Sequence, residues 1–497
     1  MPSTSDLLIA AYYGTLAVLA LFGAHRSLLL FLYFRHRRRI KTPRQSVPLP
    51  TVTVQLPLYN ERYVATRLLN AVCKLDYPRH LLEIQILDDS DDETTDLLRS
   101  EVERWRSQGL DCQHLRRSHR AGFKAGALAA GLAASRGELV AVFDADFMPA
   151  SDFLKKTVPW FQDPEVAMVQ ARWDYFNRNY SLLTRMQAIL LDGHFRVEHA
   201  ARFYSQRFFN FNGTAGLWRR RAIEDSGGWQ HDTVTEDLDL SYRAQLRGWR
   251  FIYLADFGVR SELPVDIAAF KSQQYRWAKG AIQTARKLLP SIFRSTIPWW
   301  KKLEAALHLS GNVSALFMTL LSLLVFPAML SRQGAEQWQL LLIDLPLFMA
   351  ATGSVVTYYL AAQSVLPERD PSPLRIMPAV LALGIGLSIN NARAALAGMT
   401  RKGGTFVRTP KYGIEAVGET WQRKSYRSHR DFGFLLEGAF SIYFAVVLAT
   451  AVRLQMWLSI PFLLLFFGGY STVFLLTICS RFTPIRRKRF LATAKPT

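Results

Sequence analysis

Glu138-Leu-Val-Ala-Val-Phe-Asp-Ala-Asp-Phe147 contains a continuous apolar run, Leu139 to Phe143, that stops abruptly at two carboxylates. The run has the length and composition of one buried strand of a mostly parallel sheet. Asp144 and Asp146, at i and i+2 on the lip of that strand, can point two ligand groups at one divalent cation. Mg2+ in nucleotide sites is held this way, by one or two carboxylates and substrate phosphates. The triplet also suits a solvated strand-end turn, where Asp is common, so the surrounding sequence has to decide.

Upstream, Thr51-Val-Thr-Val-Gln-Leu56 reads as a strand, followed by Pro57-Leu-Tyr-Asn-Glu61. A helical segment from Tyr63 to Lys74 leads to a second strand, Leu82 to Leu87, closed by the acidic turn Asp88-Asp-Ser-Asp-Asp-Glu93. Another helix, the segment around Asp111 to Leu115, and Arg120-Ala-Gly-Phe-Lys-Ala-Gly126 opening a small-residue helix complete the approach to the central strand. Strands alternating with helices predict a doubly wound, Rossmann-like α/β sheet whose ligands gather at the carboxyl ends of the strands. Both acidic turns lie at such ends, which favours a nucleotide site. Downstream come Phe211-Asn-Gly-Thr-Ala215, Thr235-Glu-Asp-Leu-Asp239 starting a helix, Ser261-Glu-Leu-Pro264 and Gln273-Gln-Tyr-Arg-Trp277.

Beyond this unit the 497-residue chain, 49% hydrophobic, is dominated by apolar blocks at about 7–34 and from about 303 to 478. Blocks of about 20 residues are long enough to cross a bilayer. The expected organisation is a transmembrane anchor over 1–40, an aqueous domain over 41–280, and an interfacial segment over 281–302. Two spans over 303–362, a cytosolic loop over 399–430, two spans over 433–480 and a basic tail over 481–497 follow. The first apolar block is too long for a signal-peptide core and lacks a small-residue cleavage site, so a retained anchor with its N-terminus outside is expected. Block 374–398, with Asn390, Asn391 and Arg393, is read as an interfacial or re-entrant helix, because crossing would put the basic stretch 401–430 outside. That gives five spans, with six as the alternative.

The formal net charge of +21 collects at Arg35-His-Arg-Arg-Arg39, at 401–430 and at Arg486-Arg-Lys-Arg489, all beside apolar blocks. This follows the positive-inside rule and attraction to anionic lipid. No nucleic-acid motif accompanies it, so nucleic acid is not an expected partner. Cys73, Cys112 and Cys479 have neither metal spacing nor a disulfide framework.

Asp88-Asp89, Asp144-Ala-Asp146, Thr235-Glu-Asp237, Gln273-x-x-Arg276-Trp277 and Phe406-Val-Arg-Thr-Pro-Lys411 occur in this order, the last on a loop between membrane segments. In this the sequence resembles the family 2 processive glycosyltransferases of the cellulose-synthase type, over roughly residues 50–480. The resemblance implies a glycosyltransferase-A-type α/β cytosolic domain inserted in an α-helical transmembrane protein, a nucleotide-sugar donor, and a channel for a growing polysaccharide. Asp146 and Asp144 would hold Mg2+ or Mn2+ and the donor phosphates, and Asp88 and Asp89 the nucleoside end. Asp237 would be the base that deprotonates the acceptor hydroxyl, oriented by Glu236; a helix start capped by Thr235 is the plainer account of the same triplet. Trp277 would stack on the acceptor sugar, with Gln273 beside it, and Arg276 would face the diphosphate. Lys124 is either a donor-phosphate contact or a solvated helix-start lysine.

Phe406, Thr409 and Lys411 match the gating loop written Phe-x-Val-Thr-x-Lys, with Arg408 in place of Val as an added candidate for phosphate contact. Ile84-Gln-Ile-Leu-Asp-Asp-Ser90, Gly122-Phe-Lys-Ala-Gly-Ala-Leu128 and Glu262-Leu-Pro264 look like the plant cellulose-synthase-like A and C groups. They imply a β-1,4-linked hexose backbone made from GDP-mannose or UDP-glucose and exported across a bacterial inner membrane or a Golgi-type membrane. The chain stops soon after its last apolar block, so the cyclic-di-GMP-binding domain of bacterial cellulose synthases, and regulation through it, are not expected. The alternative activity is addition of one sugar to a lipid, as in ceramide glucosyltransferases. A non-catalytic scaffold would give five chemical stations no reason to stay together.

Overall fold

The computed structural model describes residues 3–37, 43, 48–332, 337–366, 370–400, 404, 407–416, 418–422, 424–426 and 432–482. Seven strands form one sheet: β1 (Val52–Leu58), β2 (Leu82–Asp88), β3 (Asp111–Arg116), β4 (Leu139–Val142), β5 (Val166–Tyr175), β6 (Gly216–Arg219) and β7 (Arg250–Ser261). Their order is β3-β2-β1-β4-β6-β5-β7. β1, β2, β3 and β4 are parallel, whereas β6 runs antiparallel between β4 and β5. The sheet is therefore mixed rather than uniformly parallel. From β1 the chain winds first toward β2 and β3, then returns to place β4 on the other side. That reversal opens a crevice at the carboxyl ends of β1 and β4, where α/β sheets bind ligands.

Val52, Val54, Leu56, Ile84, Ile86 and Leu139 to Phe143 are buried, as helices covering both sheet faces require. Buried polar residues interrupt this pattern in register across β1 and β2: Thr53 Oγ1 donates to Glu83 Oε2 at 2.6 Å, and Gln55 Nε2 to Gln85 Oε1 at 3.0 Å. Each buried polar atom so paired escapes the cost of desolvation without a partner.

Among the described residues, five helices have the length and hydropathy to cross a membrane: Thr4–His36, Trp299–Ser331, Leu342–Ser364, Phe434–Arg453 and Trp457–Arg481. The ambiguous block is a pair of helices, Pro373–Gly386 and Ser388–Thr400, bent by 40°. The expected boundary at 280 falls inside one helix, Ile267–Arg294. Apolar faces on both sides of that position hold the helix intact: Phe270 packs with the membrane helices, and Ala281 and Leu288 with the helix Trp299–Ser310. The expected interfacial segment is thus partly this helix and partly the start of the Trp299–Ser331 span. Polar ties fasten the α/β unit to the apolar helices. Asn390 Nδ2 donates to Lys271 O at 3.1 Å, Lys271 pairs with Glu437, and Arg202 Nε reaches Glu304 Oε1 at 3.0 Å.

Candidate active site

The crevice is a cleft of about 160 Å³ fed by the ends of three strands. After β1, Asn60 takes a positive φ of 55°, a region Asn enters more readily than most residues, and its Nδ2 donates to Asp91 Oδ1 at 2.7 Å. This turn delivers Glu61 into the cleft wall. After β4, the Asp144 amide donates to Thr214 Oγ1 at 2.9 Å, and its carboxylate receives Lys124 Nζ, which also donates to Gly213 O at 2.9 Å. Burial works against the Lys124 ammonium, but Asp144 and Glu236 outweigh it and raise its pKa. Asp146 is buried, and its Oδ2 accepts from Lys411 Nζ at 2.7 Å.

The two residues after β2 part company. Asp89 lines the cleft, with Arg117 Nε 3.0 Å from its Oδ1. Asp88 does not line it: 1% exposed, it is tied to His114 Nε2 and the Ser90 amide, each at 2.9 Å. Burial raises the Asp88 carboxyl, yet these hydrogen bonds outweigh burial and leave it below the usual range. The expectation that Asp88 holds the nucleoside end is corrected accordingly. Neighbouring residues at a strand end point to opposite sides, so one of the pair is turned into the protein.

The opposite wall comes from residues 212–213, the helix Glu236–Leu246 and the helix Ile267–Arg294. Gly213 has φ +79°, and a Cβ there would come 2.9 Å from Asp237 Oδ2, so a glycine lets the loop pass beside this carboxylate. Burial and the adjacent Glu236 push Asp237 up to about 7, and burial also raises Glu236. Thr235 makes no side-chain cap; its hydroxyl lies 3.4 Å from Thr284 Oγ1, where Gly280 leaves room for it. Gln273, Arg276 and Trp277 share one helix and all line the cleft. Arg276 lies in the field of Glu236, Asp144, Asp237 and Asp146, and its Nη1 donates to Val407 O at 3.1 Å.

A second, larger cavity of about 560 Å³ lies among the apolar helices, lined in part by Leu16, Phe22, Met318, Phe348 and Phe466. It shares Trp173, Leu191, Asn212, Thr235, Asp237 and Trp277 with the cleft. Asp237 and Trp277 thus stand at the joint between the two spaces.

Residues 50–280 match the family described as Glycosyltransferase like family 2. Residues 50–280 are thus the part of the chain that is similar to family 2 glycosyltransferases. The chain is 46% identical over 259 residues to glucomannan 4-beta-mannosyltransferase 2 of Arabidopsis thaliana, covering 51% of this chain and 48% of the relative. It is 37% identical over 383 residues to a probable glucomannan 4-beta-mannosyltransferase 2 of Oryza sativa subsp. japonica, covering 74% of this chain and 63% of the relative. The chain therefore spans less than two-thirds of the length of each. The mannosyltransferase PcManGT of Pyrobaculum calidifontis, solved with GDP-Man and Mn2+, is 24% identical with a TM-score of 0.50. It covers 71% of this chain and 97% of its own, a likeness of fold. The fold of residues 50–280 is glycosyltransferase-A-like, and the apolar helices flanking them are long enough to cross a membrane.

Asp89, Lys124, Asp144, Asp146, Glu236, Asp237, Gln273, Arg276, Trp277, Thr409 and Lys411 of the expected set meet around the cleft. Phe406 lies outside the described residues. Arg408, considered for phosphate contact, grips Glu61 instead through Nε at 2.9 Å and Nη2 at 3.1 Å. Glu61, Glu262, Trp173 and Asn212 received no role from the sequence. Glu61, Asn212 and Glu262 lie within quoted motifs, but only the fold shows what they face. The donor set fits a divalent cation: two carboxylates two residues apart line the cleft, and each already draws a lysine ammonium. Among the described residues no cluster of three or more His, Cys, Asp or Glu forms a cage, so substrate oxygens would complete the coordination.

Proposed function

We propose that this protein is an inverting, processive membrane mannosyltransferase, transferring mannose from GDP-mannose to the end of a β-1,4-linked chain that then enters the membrane-side cavity. The observation that carries the reading is the joint, where one carboxylate and one tryptophan belong to both the donor cleft and the cavity among the apolar helices. The choice of mannose rests on the names of the two plant relatives, and GDP as its carrier on the GDP-Man with which PcManGT was solved.

In this reading Asp237 takes the proton of the attacking hydroxyl as that oxygen bonds to the anomeric carbon and GDP leaves. A pKa near 7 suits a general base at neutral pH. Trp277 holds the acceptor's terminal pyranose by its apolar face, with Gln273 beside it. Arg276 and Lys124 place positive charge near the diphosphate, and Asp89 faces the nucleoside. Asp144 and Asp146 would hold Mg2+ or Mn2+, which supplies charge neutralisation for the departing diphosphate. Residues 407–411 lie across the cleft as a strap. With the basic stretches at 35–39, 401–430 and 486–489 on the cytosolic side, the glycosyltransferase domain is cytosolic as well.

The test is a donor screen with the full-length protein in detergent or vesicles, using radiolabelled GDP-mannose and UDP-glucose, followed by digestion with an endo-β-1,4-mannanase. A high-molecular-weight product that is labelled from GDP-mannose and dissolved by that enzyme is expected. A lipid-soluble monoglycoside as the sole product would overturn the proposal.

A further inference from the structure

The helix Leu182–Asp192 does not simply continue. It widens into a π-helical stretch, Gly193–His199, before resuming as Ala200–Tyr204. Such turns sacrifice regular helix geometry and are frequent at functional sites. Here the stretch sets His194 beside Glu198, Nδ1 to Oε2 at 2.7 Å. It also packs Gly193 so tightly that a Cβ would strike the rings of Tyr358 and Tyr359.

Both side chains line the membrane-side cavity and neither lines the donor cleft. They remain 28% and 24% accessible, in a cavity whose wall also carries Arg26, Arg202 and His308. His194 Nε2 lies 3.4 Å from Asn212 Nδ2, and Asn212 belongs to the joint with Trp277. Trp173, also at the joint, has its ring centroid 6.3 Å from that of Trp277. Burial raises the Glu198 carboxyl, but Arg202 and His194 outweigh it and hold it well below the usual range. Glu198 is therefore an anion that can only accept hydrogen bonds. Arg202 already matches the Glu198 charge, so the accessible carboxylate and imidazole call for a ligand rich in hydroxyls and without charge. One histidine and one carboxylate do not make a metal cage, and neither lines the donor cleft, which keeps them out of the chemistry.

We infer that His194 and Glu198 form the subsite for the acceptor's second sugar, one residue further into the cavity than the pyranose on Trp277, binding the hydroxyls of a neutral β-linked hexose. This rests on the glycosyl-transfer reading above. Glu198 would accept hydrogen bonds from two neighbouring hydroxyls on the lone pairs that Arg202 and His194 leave open, and His194 would complete the set through Nε2.

Calorimetric binding to the full-length protein in detergent tests it, with mannose, β-1,4-mannobiose and β-1,4-mannotriose as probes and no donor present. The disaccharide should bind at least about tenfold more tightly than mannose, an increment of about 1.4 kcal/mol. Glu198→Gln should reduce the increment to threefold or less. Because Glu198 is also paired with Arg202, His194→Asn provides a second variant with the same expected loss. Equal binding of mannose and mannobiose by the unaltered protein, or an increment intact in both variants, would overturn the subsite. If the increment is present but GDP-mannose is never consumed, the subsite stands and the functional reading falls.

Discussion

Lys411 Nζ lies 2.7 Å from Asp146 Oδ2, bridging 265 residues of chain and closing the strap onto a carboxylate that would otherwise face a divalent cation. The ammonium and the cation would compete for one oxygen. Lys411→Gln is therefore expected to lower, severalfold, the Mg2+ or Mn2+ concentration giving half-maximal activity. Asp146→Asn should reduce kcat on the order of 10²–10³-fold, the scale of losing one preorganised electrostatic group. Metal titrations of both variants check this, and full activity in excess EDTA would remove the metal from the account.

Asp237 is pushed up to about 7 by burial and by Glu236. The base works only when ionised, so kcat/KM should climb with pH along an acid limb whose midpoint is near 7. Asp237→Asn should lose about 10²–10⁴-fold in rate, the usual contribution of a general base. A pH–rate profile and the variant's kcat measure both; an active Asn variant would sink the assignment.

Glu61 is covered by the strap and pushed up to about 8 by burial, against the opposing charges of Arg408 and Lys411. With the strap lifted, its carboxyl would return toward 4.5. The closed form then binds the extra proton, so raising pH from about 4.5 through about 8 should loosen the strap. Tryptic cleavage after Arg408 and Lys411 should quicken relative to a strap-free control site over that window. In Glu61→Gln the pH dependence should flatten.

Arg202 and Glu304, 1% and 3% exposed, join the α/β unit to the apolar helix Trp299–Ser331. His25 adds a second contact, Nε2 to Glu304 Oε2 at 3.0 Å. Glu304→Ala leaves the buried guanidinium with Glu198 alone and takes the partner from His25, and should cost about 1.5–3 kcal/mol. Thermal unfolding in detergent reads this as a clear drop in Tm, and an unchanged Tm would mean the pair contributes nothing.

The parts of the fold carried by local pattern were legible in the sequence. The apolar run Leu139 to Phe143 marked the strand Leu139–Val142, and the acids at the ends of β2 and β4 marked where the apolar runs stop. Hydropathy likewise located the five long apolar helices, since a window of about 20 residues is a local property. The antiparallel β6 could not be read this way: four residues carry too little pattern to set a strand's direction.

Sequence by itself therefore determined the residue types, their order, and which strand ends could carry charge. Tertiary structure alone decided which of two adjacent acids faces the cleft, Asp89 rather than Asp88, and that Arg408 spends its charge on Glu61, 347 positions away. It also decided that the cleft and the membrane cavity meet at Asp237 and Trp277. The reason is physical. Backbone preferences act over a few residues, whereas the partner of a charged side chain is whichever group packing brings within about 3 Å, and packing is a property of the whole chain.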